Sequence, residues 1–206
     1  QNQSSAASDV YKRQDFDSAN VFAFLQKYGL EKEFKLNIEQ NHAILAKHSF
    51  EHEIAYALSN NILGSIDINR GDYLVGWDTD QFPNNVEELV LPFYYIFKSG
   101  GFSSGGLNMD AKIRRQSIDP EDLFYAHIGS MDTCARTLIA VEKMINDGSY
   151  EFFLKQRYES WNDNSELMNK LSLEDIHNKV IKENINPDPK SGRQEYLENL
   201  INSFVE

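Results

Sequence analysis

Phe34-Lys35-Leu36-Asn37-Ile38-Glu39-Gln40-Asn41-His42 alternates apolar and polar residues and ends in a carboxylate with an imidazole just beyond it. The alternation predicts a buried strand: Leu36 and Ile38 point to one face, Asn37 and Glu39 to the other, because side chains alternate with period two along a strand. The phrase recurs downstream. Gly64-Ser65-Ile66-Asp67 and Leu107-Asn108-Met109-Asp110 again run through a polar and an apolar residue to an acid. Three strands would thus aim three carboxylates the same way. Converging carboxylates repel one another and take up protons near neutral pH unless a cation lies between them. The expectation is a divalent metal site at the mouth of a parallel barrel.

The segment between the second and third strands adds Asp78-Thr79-Asp80, whose alternate carboxylates share a side if the backbone is extended. With His42 the donors form a mixed oxygen and nitrogen set, which suits Mg²⁺, Mn²⁺ or Co²⁺ better than the thiolate or multi-histidine preference of zinc. Five acids and a histidine exceed what one ion needs. Two sites sharing a bridging carboxylate are therefore expected, with Glu39 as the bridge, Asp67 and Asp110 completing one site, and His42, Asp78 and Asp80 the other. Each piece has an ordinary reading: Asp-x-Asp in a loop is usually turn chemistry or a helix cap. The repeated strand-end pattern weighs against it, since buried carboxylates are rarely tolerated without compensation. His48, His52, His127 and His177 read as structural or surface residues, and Arg70-Gly71-Asp72 as a loop turn rather than an adhesion signal.

Around these strands the sequence places helices. Asp17 can cap a helix carrying Val21, Phe22, Phe24, Leu25 and Tyr28 on one broad face, with Gly29 as its stop. Phe50, Ile54, Ala57 and Leu58 have helical spacing over 50–60, and a strand is expected over 63–69. Asn85 and Glu88 have capping-box spacing, while Pro92 should kink the following helix or delay its start. Asp119-Pro120 opens a long helix with a cap and a proline at its first position. Strands alternating with helices imply βαβ units and a parallel sheet, and three such units make part of an eight-stranded barrel.

The remaining residues divide the chain further. Residues 4–14, SSAASDVYKRQ, carry no apolar periodicity and resemble the in-frame translation of a transposon-based sequencing adapter. A non-native leader over 1–14 is expected, followed from Asp15 by the later part of a longer gene. Residues 15–148 read as a partial barrel. From 149 to 206 only helix patterns remain, around 152–161, 173–182 and 195–204, interrupted by Asn186-Pro187-Asp188-Pro189, with aromatic and leucine faces that need a surface to cover. This tail is expected to be a helical oligomerisation arm.

Composition narrows the partners. A formal charge of −12 over 206 residues lacks the basic stripe that nucleic-acid phosphates require. No run reads as a membrane span. The single Cys134 excludes an internal disulfide, reads as core filler on a helix, and fits a reducing, cytoplasmic setting.

The blocks KLNIEQNHAILAKHSFEHE, GSIDINRGD, GWDTDQFP, GGLNMDAKIRRQS and DPEDLFYAHIG resemble the C-terminal half of bacterial class II xylose isomerases, from about Asp15 to the end. The resemblance implies a (β/α)8 TIM barrel with a C-terminal helical arm that wraps a partner subunit in a homotetramer. It also implies interconversion of D-xylose and D-xylulose by a metal-assisted 1,2-hydride shift, with two divalent cations per subunit and no nicotinamide. By matching motif, Glu39 corresponds to the bridging glutamate, Asp67 and Asp110 to ligands of the substrate-anchoring metal, and His42, Asp78 and Asp80 to ligands of the catalytic one. The family's ring-opening His and Asp, its lysine near O1, a further metal-ligand glutamate and the aromatic walls of the sugar pocket would lie upstream. No catalytic residue beyond the metal ligands is therefore expected here. The alternatives are an inactive fragment, since a half barrel exposes strand edges, or a different divalent-metal barrel sugar isomerase or epimerase.

Overall fold

The computed structural model of the chain describes residues 16–114, 116–163, 170–186 and 189–205; the leader expected over 1–14 and the Pro187-Asp188 break lie outside them. Two compact units divide within one long helix, the first running to Val141 and the second from Glu142 to Phe204.

The first unit is built on three short parallel strands, β1 (Leu36–Glu39), β2 (Leu63–Asp67) and β3 (Leu107–Asn108), in that spatial order. Helices follow the strands: α1 (Ser18–Tyr28) precedes β1, α2 (Gln40–Leu45) and α3 (Phe50–Ser59) separate β1 from β2, α4 (Glu87–Lys98) separates β2 from β3, and α5 (Pro120–Asp147) comes after. The expected α/β alternation is present as this three-stranded sheet, in which β1 and β3 each pair with β2. Ile38, Ile66 and Ile68 are at most 7% exposed, and on the helices Ile54, Leu89 and Val90 are buried to 1% or less. α3 packs against α4, β1 and β2, so the apolar face of the sheet and the helices share one core. Burial of each such side chain is worth roughly 1.5–3 kcal/mol.

That core fixes the register. Glu39 lies opposite Asp67, and Asp67 opposite Asn108. A one-residue slip would turn the isoleucines to solvent and the acids into the core. Close approach of the backbones depends on glycine: a Cβ on Gly64 would sit 2.9 Å from the Leu36 carbonyl oxygen, and one on Gly105 only 1.9 Å from that of Gly64.

Several local expectations change. The third strand is only Leu107–Asn108, so Asp110 projects from the loop beyond it. The helix α2, unforeseen from the sequence, takes up Gln40–Leu45. Asn85 does not form a capping box. Its Oδ1 accepts from the Glu87 amide at 3.0 Å, while Glu88 Oε1 accepts from the Asn85 side chain at 3.2 Å rather than from its backbone, and α4 begins at Glu87. Pro92 lies inside that helix, which runs on to Lys98. On α1, Asp17 caps as expected through the Asn20 amide, but only Leu25 of the anticipated apolar face is buried; Phe24 and Tyr28 are exposed, their rings 4.8 Å apart. Cys134 is buried on α5, as expected of a core filler.

The second unit contains the end of α5 and helices α6 (Ser149–Asp163), α7 (Leu173–Lys182) and α8 (Gln194–Val205). Ser172 opens α7 with a complete capping box: its Oγ accepts from the Asp175 amide, and Asp175 Oδ2 accepts from the Ser172 amide. Phe153 and Tyr196 approach with ring centroids 5.8 Å apart, and the Arg193 guanidinium lies over the Tyr196 ring.

The glycine contacts yield a paired prediction. Gly105→Ala should destabilise the chain by roughly 1–3 kcal/mol, since the methyl meets backbone that cannot move aside cheaply. Gly106→Ala should be nearly neutral, because nothing lies within 4 Å of its Cβ position. Urea denaturation of both variants decides the point, and equal midpoints would mean that β2–β3 spacing does not depend on Gly105.

Candidate metal centre

At the C-terminal ends of β1 and β2 the side chains opposite the core are acids and amides. Asp67 accepts from Asn37 Nδ2 at 2.6 Å and from Asn108 Nδ2 at 3.2 Å, so each strand supplies one member of a polar row across the sheet. Ser65 Oγ donates to Asn37 Oδ1 at 2.7 Å and orients that amide. Beyond the row, the chain turns directly from β1 into α2. That turn of helix brings His42 back over Glu39, Nδ1 to Oε2 at 3.1 Å, as residues three apart do on a helical turn. The other ring nitrogen, Nε2, meets Asp78 Oδ2 at 3.0 Å.

Two triads of donor atoms result, each with its atoms within 4.8 Å of one another: Glu39, His42 and Asp78, and Glu39, Asp67 and Asp110. Glu39 is common to both. Asp80 stands beside Asp78 rather than in either triad. Its carboxylate pairs with Lys112 Nζ, its carbonyl accepts from the Lys112 amide at 2.9 Å, and its φ of +41° is a left-handed conformation that aspartate and asparagine adopt more readily than most residues other than glycine.

Two asparagines that the sequence reading passed over hold the centre together. Asn69, fully buried, donates from Nδ2 to Glu39 Oε1 at 2.7 Å and to the Asp110 carbonyl at 2.9 Å, and accepts the Asn41 amide on Oδ1 at 2.9 Å. Asn41 in turn donates to Asp78 Oδ1, and its own buried Oδ1 has no hydrogen-bond partner. The only signal for Asn69 in the sequence is its position, one alternation beyond Asp67 on the same strand direction. Gly71 of the Arg-Gly-Asp turn is the packing partner of Asn41: a Cβ there would lie 1.9 Å from Asn41 Oδ1.

Electrostatics follow from the crowding. Burial pushes Glu39 up from 4.5 to about 7; His42 and the Asn69 hydrogen bond act against this rise, and Asp78 and Asp80 add to it. Burial also acts to raise Asp78, yet hydrogen bonds from His42, Asp80 and Asn41 together with the His42 charge outweigh it and hold this carboxyl well below the usual range. Asp80 is raised, by burial first and then by sharing a hydrogen bond with Asp78, with Lys112 opposing. Acids whose charges cannot all coexist, converging on shared oxygen and imidazole donors, make a set that a hard or borderline divalent cation fits.

The remaining histidines lie elsewhere. His48 Nδ1 is 2.5 Å from Glu53 Oε1, and the other oxygen of this buried carboxylate accepts the Ser18 amide at the start of α1 at 2.7 Å. His52 Nε2 is 4.0 Å from the same Glu53 oxygen. Glu53 thus joins α1 to α3 by capping the positive end of a helix, a structural use. His127 Nδ1 bonds the Leu123 carbonyl and its ring stacks edge-on with Phe82, while His177 is exposed on α7.

Fold and site together define an α/β chain whose parallel sheet ends in a carboxylate, amide and imidazole cluster. Its relatives are more specific. A xylose isomerase of Ruegeria sp. (strain TM1040) is 59% identical over 194 residues, 93% of this chain and 44% of that protein. The xylose isomerases of Cereibacter sphaeroides (strain ATCC 17029 / ATH 2.4.9) and Brucella canis (strain ATCC 23365 / NCTC 10854 / RM-666) are 59% and 56% identical, with the same coverage. Residues 154–205 match the XylA2 C-terminal domain family. The chain is similar in sequence to xylose isomerases along nearly its whole length, as its motif blocks led us to expect, and it spans less than half the length of these curated relatives. Among the described residues no helix is long and apolar enough to cross a membrane.

The Glu39 environment can be titrated directly. A carboxyl whose folded pKa lies above its unfolded value contributes stability below the unfolded pKa, here 4.5, and loses it as pH rises to about 7. In cation-free buffer the ¹³C shift of the Glu39 carboxyl should therefore turn near pH 7. In His42→Asn the midpoint should move higher still, because a lowering influence is gone. A midpoint near 4.5 in the wild type would contradict the buried placement.

Proposed function

We propose that this chain carries the metal-ligand portion of a xylose isomerase, an aldose–ketose isomerase interconverting D-xylose and D-xylulose. The observation that carries the reading is the position of Glu39 between two donor triads, in a chain 59% identical to a named xylose isomerase. Two divalent cations, Mg²⁺, Mn²⁺ or Co²⁺, are the proposed cofactors. Glu39 would hold both, with Asp67 and Asp110 serving one and His42, Asp78 and Asp80 the other. When bound, the cations supply Lewis acidity at the sugar oxygens, the charge stabilisation that a 1,2-hydride shift needs.

The chain's own residues prepare for this in distinct ways. Asn69 fixes one oxygen of Glu39 and leaves the other toward His42. His42 is held at both ring nitrogens by acids, which sets the plane of the imidazole before any ligand arrives. Lys112 balances the Asp80 charge, and a cation held by Asp80 would compete with this ion pair. A cation held by Glu39 would compete with its proton, so affinity should rise with pH through about 7. In the intact protein we read the sheet as part of a (β/α)8 barrel over 15–148 and residues 149–206 as an arm that joins subunits of a homotetramer. The setting is cytoplasmic, and the sugar is the only substrate proposed.

Metal analysis on the intact protein tests the assignment. Glu39→Gln should lose both equivalents of Mn²⁺, because it removes charge shared by two sites, whereas His42→Asn should lose one. Equal loss from the two variants would sink the bridging role. Independently, removal of residues 149–206 should lower the oligomeric state in sedimentation; a tetramer persisting at nanomolar protein would place the subunit contact elsewhere.

A further inference from the structure

Arg70 and Gln81, at the two ends of the loop that carries Asp78 and Asp80, border a cavity of about 410 Å³. Arg70, Lys112, Arg114 and Arg136 all line it, and among the described residues no Asp or Glu does. In a chain with 32 acids and 20 basic residues, four cations without one carboxylate is a strong local reversal of charge. Two of the four are partly engaged: Arg70 Nε donates to the Phe82 carbonyl at 3.0 Å, and Lys112 is paired with Asp80. Arg114 is different. Its Nε and one Nη are buried and make no hydrogen bond.

A buried guanidinium edge without an acceptor is costly, and native proteins satisfy nearly all such groups. Nε and an Nη on one side of the guanidinium form the fork that takes two oxygens of a single oxyanion. Phe82 and Tyr125 add aromatic wall to the same cavity, whose volume exceeds that of a bare tetrahedral anion. We propose that this cavity is a binding site for a small phosphate-bearing molecule, its phosphate held by Arg114 and Arg136 and its organic part set against Phe82 and Tyr125. The site adjoins the carboxylate centre through the Lys112–Asp80 pair but shares none of its proposed ligands, and it does not depend on the isomerase reading. Three guanidinium groups favour a dianion over a single carboxylate, because each further cation gains from the second charge.

Calorimetric titration of the intact protein with inorganic phosphate, at an ionic strength fixed with chloride, tests this. One saturable site per chain is expected, weakened at least about tenfold in Arg114→Gln and in Arg136→Gln, the scale of one charge-assisted hydrogen bond. Arg136 is exposed, so its substitution keeps the test valid should Arg114→Gln fail to fold. Arg157→Gln, outside the cavity, should bind as the wild type does. No saturable binding, or equal binding in all variants, would overturn the proposal. So would a wild type that ignores phosphate while Arg136→Gln lowers the oligomeric state, since the cavity would then hold a carboxylate of another subunit.

Discussion

The structure of the first unit depends on keeping the Glu39 carboxylate where burial disfavours its charge and neighbouring acids disfavour it further. That placement pushes the group up to about 7 and is offset in part by His42 and Asn69. A lone buried carboxylate would simply keep its proton. Here each neighbour is itself held: His42 by Asp78, Asn69 by the Asn41 amide, and Asp80 by Lys112. The cluster is therefore ordered as a network, in which loss of one partner leaves several polar groups without acceptors or donors.

Order in the cluster comes from apolar packing beneath it. Ile38, Ile66 and Ile68 are buried in the core where α3 packs on β1 and β2 and in turn on α4, and period-two alternation then has no choice but to send Asn37, Glu39, Ser65 and Asp67 to the opposite face. Gly64 and Gly105 let the three backbones approach closely enough for Asn37 and Asn108 to reach Asp67 from both sides. The helical turn of α2 does the rest by folding His42 back over the strand end.

One loop serves two electrostatic environments. Between Arg70 and Gln81, which pair by mutual backbone hydrogen bonds of 2.8 and 3.0 Å, the chain delivers Asp78 to the acidic centre, while Arg70, Gln81 and Phe82 line the basic cavity. The Asp80–Lys112 pair joins the two. That pair stands in a part of the chain where Asp80 is held at positive φ.

The sequence by itself determined the elements that local pattern controls. Alternation marked β1 and β2, helical spacing marked α3, Asp119-Pro120 marked the start of α5, and the thrice-repeated run into an acid pointed to Glu39, Asp67 and Asp110 as neighbours. Only the tertiary structure decided what partners those residues have. The bonds from Asn69 to Glu39 and from Asn41 to Asp78 join residues 30 and 37 positions apart, and no local spacing encodes them. The same holds for the shortness of β3, the exposure of Phe24 and Tyr28, and the assembly of Arg70, Arg114 and Arg136 around one cavity. Periodicity reports which face a side chain takes; which group waits on that face depends on how distant strands and loops come together, and that is settled by packing.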